Sequence, residues 1–448
     1  MKTASILKRS GTELRKPTSG LAALTVVMVL FFVMALVAAY TNRNLIFEQR
    51  VAANSYRAER ASASADAGAE WVLTLLNSGR VDMRCLPSDN AADSSARSRF
   101  LNRSGNGSYQ PVQVANKALL PSCVVSGGNL TCVCPTAASP VPLPHAVMNW
   151  PLNGGGSAFR VKALQPDGPL QPGIVAYEVL GCGTTGTGAG SCGGSLERPE
   201  VEGLYTVQTF FGLVPALPHP PVAALTTGQG VAAGSAVLRI ANPDNATGVT
   251  VHSGGAVNAA AGSVLAGPAG TTNGTVVDND AALAQLLPSA ANRFQTADTL
   301  FRATFGMEAP VYRLQPAVVR VSCSGACGTS DLEAAIARYP GLTLWFDGDL
   351  QLDTAPGAAL GTATWPVMAI VTGQLTIASA LDLTGLLYAR DIVWSGAASG
   401  AVVRGAMVAV NDFTASSTVN LVYDSAALRT IQQYYGSFVR VPGGWSRL

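Results

Sequence analysis

The sequence predicts an α+β protein: a long N-terminal helix rooted in lipid, an antiparallel β head, and a C-terminal β-rich, solenoid-like part. Three observations carry this expectation. An uncharged apolar run, Leu21 to Tyr40, passes without Gly or Pro into a polar helical pattern. The middle of the chain holds short strand-like runs bounded by Gly or Pro. The last hundred residues repeat an apolar strand, a polar step and an apolar restart at roughly twenty-residue intervals.

The apolar run is long enough to cross a bilayer at about 1.5 Å per residue. Lys2, Lys8, Arg9, Arg15 and Lys16 crowd ahead of it, which keeps the short N-terminus in the cytoplasm and exports the rest. Arg43 and Arg50 soon after the span weaken that asymmetry, whereas the position of all eight cysteines beyond it agrees with export. The helical pattern reaches Asn77, with Gly79 as a stop, giving a rod of roughly 85 Å. Past Tyr40 a stripe at Phe47, Val51, Ala58, Ala61, Ala65, Val72 and Leu75 follows spacings of three and four, interrupted at Asn54, with Arg50, Arg57, Glu59, Asp66 and Glu70 largely elsewhere. Its alanines let a second helix or a sheet approach closely.

Directly before the span, Arg15-Lys16-Pro17-Thr18-Ser19-Gly20 forms a basic, polar leader ending in glycine, and a cut after Gly20 would leave the whole apolar helix on the mature chain. With the segment RVAANSYRAERASASADAGAEWVLTLLNSG, this resembles the type IV pilin class, and more closely its PilX-type minor members. ADAG is similar to the Ala-rich stretch before the pilin head, with Asp66 where glutamate is usual. The resemblance implies cleavage between Gly20 and Leu21 by a prepilin peptidase, methylation of the Leu21 amine, and entry of the helix into the core of a fibre. It implies as partners other minor pilins, the major pilin, a tip adhesin-like protein and the assembly platform. Five residues into the mature chain, where most pilins carry glutamate, stands Thr25. A carboxylate in lipid is kept for a partner charge, here a neighbour's amine, so its absence suits a subunit at or near the tip. The same feature fits the K-type minor pseudopilin of type II secretion. An ordinary single-span anchor is the plain alternative.

The expected divisions are a leader (1–20), the pilin helix (21–79), a disulfide-containing head (80–214) and a β-rich, solenoid-like part with helical insertions (222–448). Residues Arg80 to Pro121 read as a polar loop. Strands are expected at Ala158–Leu164, Gly173–Leu180 and Gly203–Phe211. Pro215 to Pro221 reads as a stiff linker. Beyond it come short strands at Val237–Ala241 and Gly248–Val257, helical pattern over Asp280–Phe305, and a helix begun by a Ser330/Glu333 capping box that ends before Pro340. In the final repeat the polar steps are Asp349, Gln374, Asp391 and Asp412, while Gly385 and Gly405 suit corners of a solenoid coil.

A net charge of +2 with 12% charged residues gives no field for nucleic acid. The cysteines fall in groups that read as disulfides: Cys182 with Cys192, Cys323 with Cys327, and Cys85 with Cys123, Cys132 and Cys134, connectivity open. No C-x2-C pair exists, His145, His219 and His252 are scattered, and no cofactor or metal is expected. Asp347, Asp349 and Asp353 alternate on one strand, and Asp278 and Asp280 flank Asn279. Calcium lacks its twelve-residue loop, and sugar cleavage, the rival activity, would need paired carboxylates in a cleft, with Asp347 and Asp349 the residues to test. A Cys182–Cys192 glycine loop lacks the lysine of a phosphate cradle, and no nucleophile elbow occurs. Trp345, Trp365, Trp394 and Trp445 read as core more than as a sticky surface.

Overall fold

The computed structural model describes residues 19–104, 107–126, 128–138, 156–164, 171–184, 202–269, 275–285, 299–395 and 400–447. It divides into two units, Met1–Arg57 and Ala58–Leu448. Helix α1 (Ser19–Leu76) accounts for the described part of the first. Its length matches the uninterrupted helical pattern, which contains no proline and a single late glycine, Gly68.

In the second unit a six-stranded antiparallel sheet forms the head. From one edge its strands are Gly436–Arg447, Glu202–Pro215, Ile174–Thr184, Ser157–Leu164, Ser122–Ser126 and Asn129–Val133. Alternation decides which face is buried: Val175, Tyr177 and Val179 point one way with Phe159, Val161, Val207 and Phe211. The three expected head strands are all present, longer by a few residues. The edge strand comes from the end of the chain, so the stretch 222–448 returns its last residues to the head. The described residues between Pro215 and Gly436 are therefore looped out of the head sheet.

That looped-out region is a parallel β-solenoid with three faces. Along one face the order of rungs is Val276–Val277, Val249–Ser253, Ala223–Thr227, Val402–Ala409, Asp382–Trp394, Val367–Ile377, Thr343–Phe346 and Val318–Val321. The chain enters in the middle, builds three rungs outward, then crosses through helical segments to the far end and returns, its last coil docking on its first. The expected repeat covered only the later run; the early rungs are two to five residues long amid Gly, Ala and Thr, too short to show a period.

The polar steps do fall on one corner. Asp349 accepts a hydrogen bond from the Gln374 amide at 2.8 Å, Gln374 stands beside Asp391, and Asp412 accepts from the Gly230 amide at 3.1 Å. Gly385 and Gly405 stack at another corner with φ of +152° and +132°, where a Cβ would lie 1.9 Å from a carbonyl oxygen of the neighbouring coil.

One face is buried on both sides, which explains continuous apolar runs such as Val367–Val371 and Leu386–Ala389. Its inner residues fill the lumen. Against its outer side pack α4 (Thr299–Phe305), α5 (Ala309–Tyr312) and α7 (Ser425–Tyr434). Phe301 and Phe305 of α4 lie 5.4 and 5.1 Å from the Tyr388 ring, and Phe301 lies 6.0 Å from Trp345. Such pairs add about 0.5–1.5 kcal/mol each beyond area burial. Trp345 and Trp394 are core, Trp365 is half-buried, and Trp445 is 41% exposed.

Several local expectations change. The described residues of 80–121 hold regular elements: Arg80–Val81 pairs with Ser94–Ser95, and α2 (Ala96–Phe100) follows with Ser95 as its cap. The Pro215–Pro221 stretch is held by packing, with Ala216 and Leu217 buried and the Ala216 amide donating to Tyr435 O at 2.8 Å. The helical pattern over 280–305 yields α3 (Ala281–Gln285) and α4, with the residues between outside the description. Helix α6 (Thr329–Arg338) starts after Gly328, whose amide donates to Asp331; Glu333 instead accepts from the Gly357 amide, so Ser330 is not its cap.

Candidate assembly site

The helix that carries the predicted processing site begins at Ser19, so the backbone of Gly20 and Leu21 lies in its first turn. Among the described residues it is the one helix long and apolar enough to cross a membrane. Leu24, Val26, Val27, Phe31, Phe32 and Val33 are all more than half exposed, an apolar surface with no protein cover in this unit. Thr25 is exposed among them.

Within the second unit, the last five turns of α1 seat on the buried face of the head sheet. Ala61, Ala65 and Ala69 are fully buried, and Val72 and Leu76 nearly so. The approach is so close that a Cβ on Gly181 would sit 2.2 Å from Ala61 O and 2.4 Å from Ala65 N. One on Gly68 would sit 2.7–2.9 Å from Val179 and Phe159. Small residues on both partners thus set the helix–sheet distance, and the Ser64 hydroxyl fixes the rotation by donating to Ala158 O at 2.7 Å. The alanine stripe marked this contact; Gly181 was legible only as part of a glycine-rich loop.

The end of the helix is joined to the end of the chain. Asn77 imitates a β-strand partner, its Nδ2 donating to Phe438 O at 2.9 Å and its Oδ1 accepting from Phe438 N at 2.8 Å. Arg97, 4% exposed, donates to Leu76 O at 3.1 Å, Tyr434 O at 3.0 Å and Gly436 O at 2.9 Å, and lies 4.7 Å from the centre of the Phe438 ring. Burial pulls its pKa down from the ordinary arginine value, yet guanidinium stays charged at any physiological pH. Arg99 likewise reaches Asp82 O at 2.9 Å and Cys134 O at 3.2 Å. Arg103 stacks on Trp365 at 3.7 Å. None of these three arginines stood out from a stretch rich in serine and asparagine, because the backbone carbonyls that Arg97 and Arg99 serve and the ring that Arg103 covers are remote in sequence.

The cysteines resolve into Cys85–Cys134, Cys123–Cys132 and Cys323–Cys327. Cys182 is also disulfide-bonded, while Cys192, its expected partner, lies outside the described residues. Cys323, Cys327 and Asp331 lie within 4.8 Å of one another, but the two sulfurs are joined and Asp331 caps α6. The acids singled out for chemistry hold turns. Asp347 meets Arg320 at 2.6 Å and accepts from Trp345 Nε1 at 2.9 Å; partial burial opposes ionisation, but these bonds and the Arg320 charge hold its carboxyl below the usual range. Asp349 caps the next coil, Asp353 and Asp278 are exposed, and Asp280 pairs with His252 at 2.7 Å.

Helix α1 thus presents an exposed apolar stretch in the first unit and, from Ala58, a stretch seated on the head sheet in the second. Residues 19–70 match the family model described as PilX N-terminal. No curated protein matches the chain. Among solved structures, the competence-associated pilin ComZ from Thermus thermophilus aligns over 88% of this chain and 97% of that one at 11% identity, with a TM-score of 0.20, too low to carry an argument. Residues 19–70 of this chain, then, are similar to the PilX N-terminal family, and the helix they belong to precedes a strand-rich, disulfide-bonded α+β body.

Proposed function

We propose that the chain is a minor pilin that helps initiate or cap a type IV pilus at its tip, acting by assembly and not by catalysis. It is made as a single-span inner-membrane precursor with its N-terminus in the cytoplasm. A prepilin peptidase cuts between Gly20 and Leu21, the new amine is methylated, and the apolar half of α1 passes from lipid into the fibre core among other minor pilins, the major pilin, the tip adhesin-like protein and the assembly platform. The observation that supports this best is the uninterrupted α1, exposed and apolar from Leu24 onward and locked at its other end into the head. Thr25 supports the tip position, since a terminal subunit has no earlier neighbour whose amine needs a carboxylate. The looped-out solenoid adds bulk that suits an end of the fibre.

Mass analysis of the exported protein from cells with and without prepilin peptidase tests the reading. A methylated Leu21 start only when the enzyme is present is expected. A mature chain that begins beyond Tyr40, or at Met1 with the enzyme working, refutes it. Thr25 also fits the K-type pseudopilin, and loss of secretion without loss of pili in a deletion strain would favour that alternative.

A further inference from the structure

The coil at the far end of the solenoid turns its corner on a pair of cysteines. Strand Val318–Val321 stops just before Cys323, and Cys327 opens the short rung Cys327–Gly328 that leads into α6. The bridge between them spans only Ser324, Gly325 and Ala326, all exposed, and a Cβ on Gly325 would meet no atom within 4 Å. Cys327 is buried and Cys323 half-buried at this open corner, whereas Cys123 and Cys132 are both buried in the head sheet. The two cysteines are 4 residues apart, against 49 for Cys85–Cys134, and so short a loop restricts the unfolded chain least. Opening this bridge therefore costs the fold less than opening that one. Bonds that need no sulfur hold the corner as well. The Cys327 amide donates to Asp349 O at 3.0 Å, Gly328 pairs with Gln351, and the Gly328 amide donates to Asp331 Oδ2 at 2.8 Å. Cys327 and Asp331 thus keep their places when the bridge is open.

We infer that Cys323, Cys327 and Asp331, once the bridge is reduced, hold one thiophilic divalent cation of the zinc type. Each residue offers one ligand atom, and the three atoms lie within 4.8 Å of one another. Around a tetrahedral zinc, with sulfur at about 2.3 Å and oxygen at about 2.1 Å, neighbouring ligand atoms stand roughly 3.6–3.8 Å apart. The carboxylate therefore closes by about 1 Å at most, and the sulfurs part by rotation of the Cys323 side chain at the exposed corner. Asp331 spends one oxygen on the Gly328 amide, which leaves the other for the cation, and water takes the fourth position. Two thiolates select a soft or borderline ion, and a single carboxylate is too few oxygens for calcium. The redox step is thiol–disulfide exchange with a dithiol: its two sulfurs join, and two electrons and two protons pass to Cys323 and Cys327. The cation then displaces those two protons. The bridged form has no thiolate to offer, so occupancy follows the redox state, and the cation in turn stabilises the dithiol form. A chain exported with its thiols reduced passes through that form before the bridge closes. The inference goes beyond the assembly reading and does not depend on it.

The test uses the full chain in detergent, reduced with dithiothreitol and freed of it without oxygen, then titrated with Co²⁺ as an optical probe and with Zn²⁺ as its competitor. Alkylation and mass analysis score which cysteines have opened, and far-ultraviolet circular dichroism scores the strands. The reduced wild type is expected to keep its strands, to bind Co²⁺ with a sulfur-to-cobalt charge-transfer band, and to give it up to Zn²⁺. The double variant Cys323→Ser with Cys327→Ser, reduced in the same way and retaining the other six cysteines, should bind one equivalent fewer. Asp331→Asn still accepts from the Gly328 amide, so α6 stays capped, and it should keep the charge-transfer band while weakening Co²⁺ about ten-fold or more. The bridged protein should bind none. A reduced wild type that takes up no Co²⁺ or loses its strands, a serine variant that binds as many equivalents as wild type, an Asp331→Asn chain as tight as wild type, or uptake by the bridged protein would each overturn the inference.

Discussion

Removing the Arg97 guanidinium should unfasten the helix from the end of the chain. The group serves three buried carbonyls, one at the C-terminus of α1 and two where α7 passes into the final strand. Arg97→Met keeps the stem and leaves those oxygens without their donor. At about 1–2 kcal/mol for each lost charge-assisted bond, the loss is about 4 kcal/mol, less a little for relief of guanidinium desolvation. For a cooperative unit of roughly 390 residues, Ala58–Leu448, the unfolding entropy is about 0.8 kcal/mol per degree, so Tm should fall by about 5 °C. Lys can reach one carbonyl of the three, so Arg97→Lys should recover about a third of the loss. The assay is thermal unfolding of the full chain in detergent, disulfides intact, followed by tryptophan fluorescence and by protease cleavage near Gly436. A Met variant melting within about 1 °C of wild type, or a Lys variant as stable as wild type, would show that the three bonds contribute nothing net and refute the argument.

Gly181→Ala should force α1 off the sheet, since its Cβ would meet backbone atoms at 2.2 and 2.4 Å; a loss of about 3 kcal/mol is expected by denaturant unfolding, with Gly212→Ala, whose nearest atom is a side-chain carbon at 3.4 Å, close to neutral. Gly405→Ala should part adjacent solenoid coils and add cleavage sites over 382–415 in limited proteolysis, while Gly443→Ala, with φ of +74° but no atom within 4 Å, should cost only the strain of that backbone region. Acid should loosen the end of the solenoid through Asp347. Its folded pKa lies below the unfolded value near 3.8, so its contribution is complete above that value and lost as pH falls through the folded pKa. Asp347→Asn should therefore lower stability at pH 7 and flatten the fall below about pH 4, measured as unfolding midpoints against pH; an unchanged pH profile would argue against it.

Local pattern, with a period set by covalent geometry, made the apolar span, the long helix, its alanine stripe, the three central head strands and the later solenoid coils readable in the amino-acid sequence. Each of these buries a surface that repeats every 3.6 residues, every two, or every coil, so the code lies within a short window. The glycines of the corners were readable for the same reason, because a neighbouring coil approaches at a fixed place in the repeat. Other features were settled by contacts between residues far apart in sequence. Nothing near Gly436–Arg447 says that it completes a sheet begun three hundred residues earlier, and nothing in SSARSRF says that Arg97 will hold both ends of the body together. The middle entry into the solenoid, the Cys85–Cys134 and Cys123–Cys132 connectivity, and the use of Asp347 as an ion-pair partner belong to the same class. A backbone carbonyl or a free strand edge has no side-chain signature, so which one a distant residue will satisfy is decided when the tertiary structure brings them together.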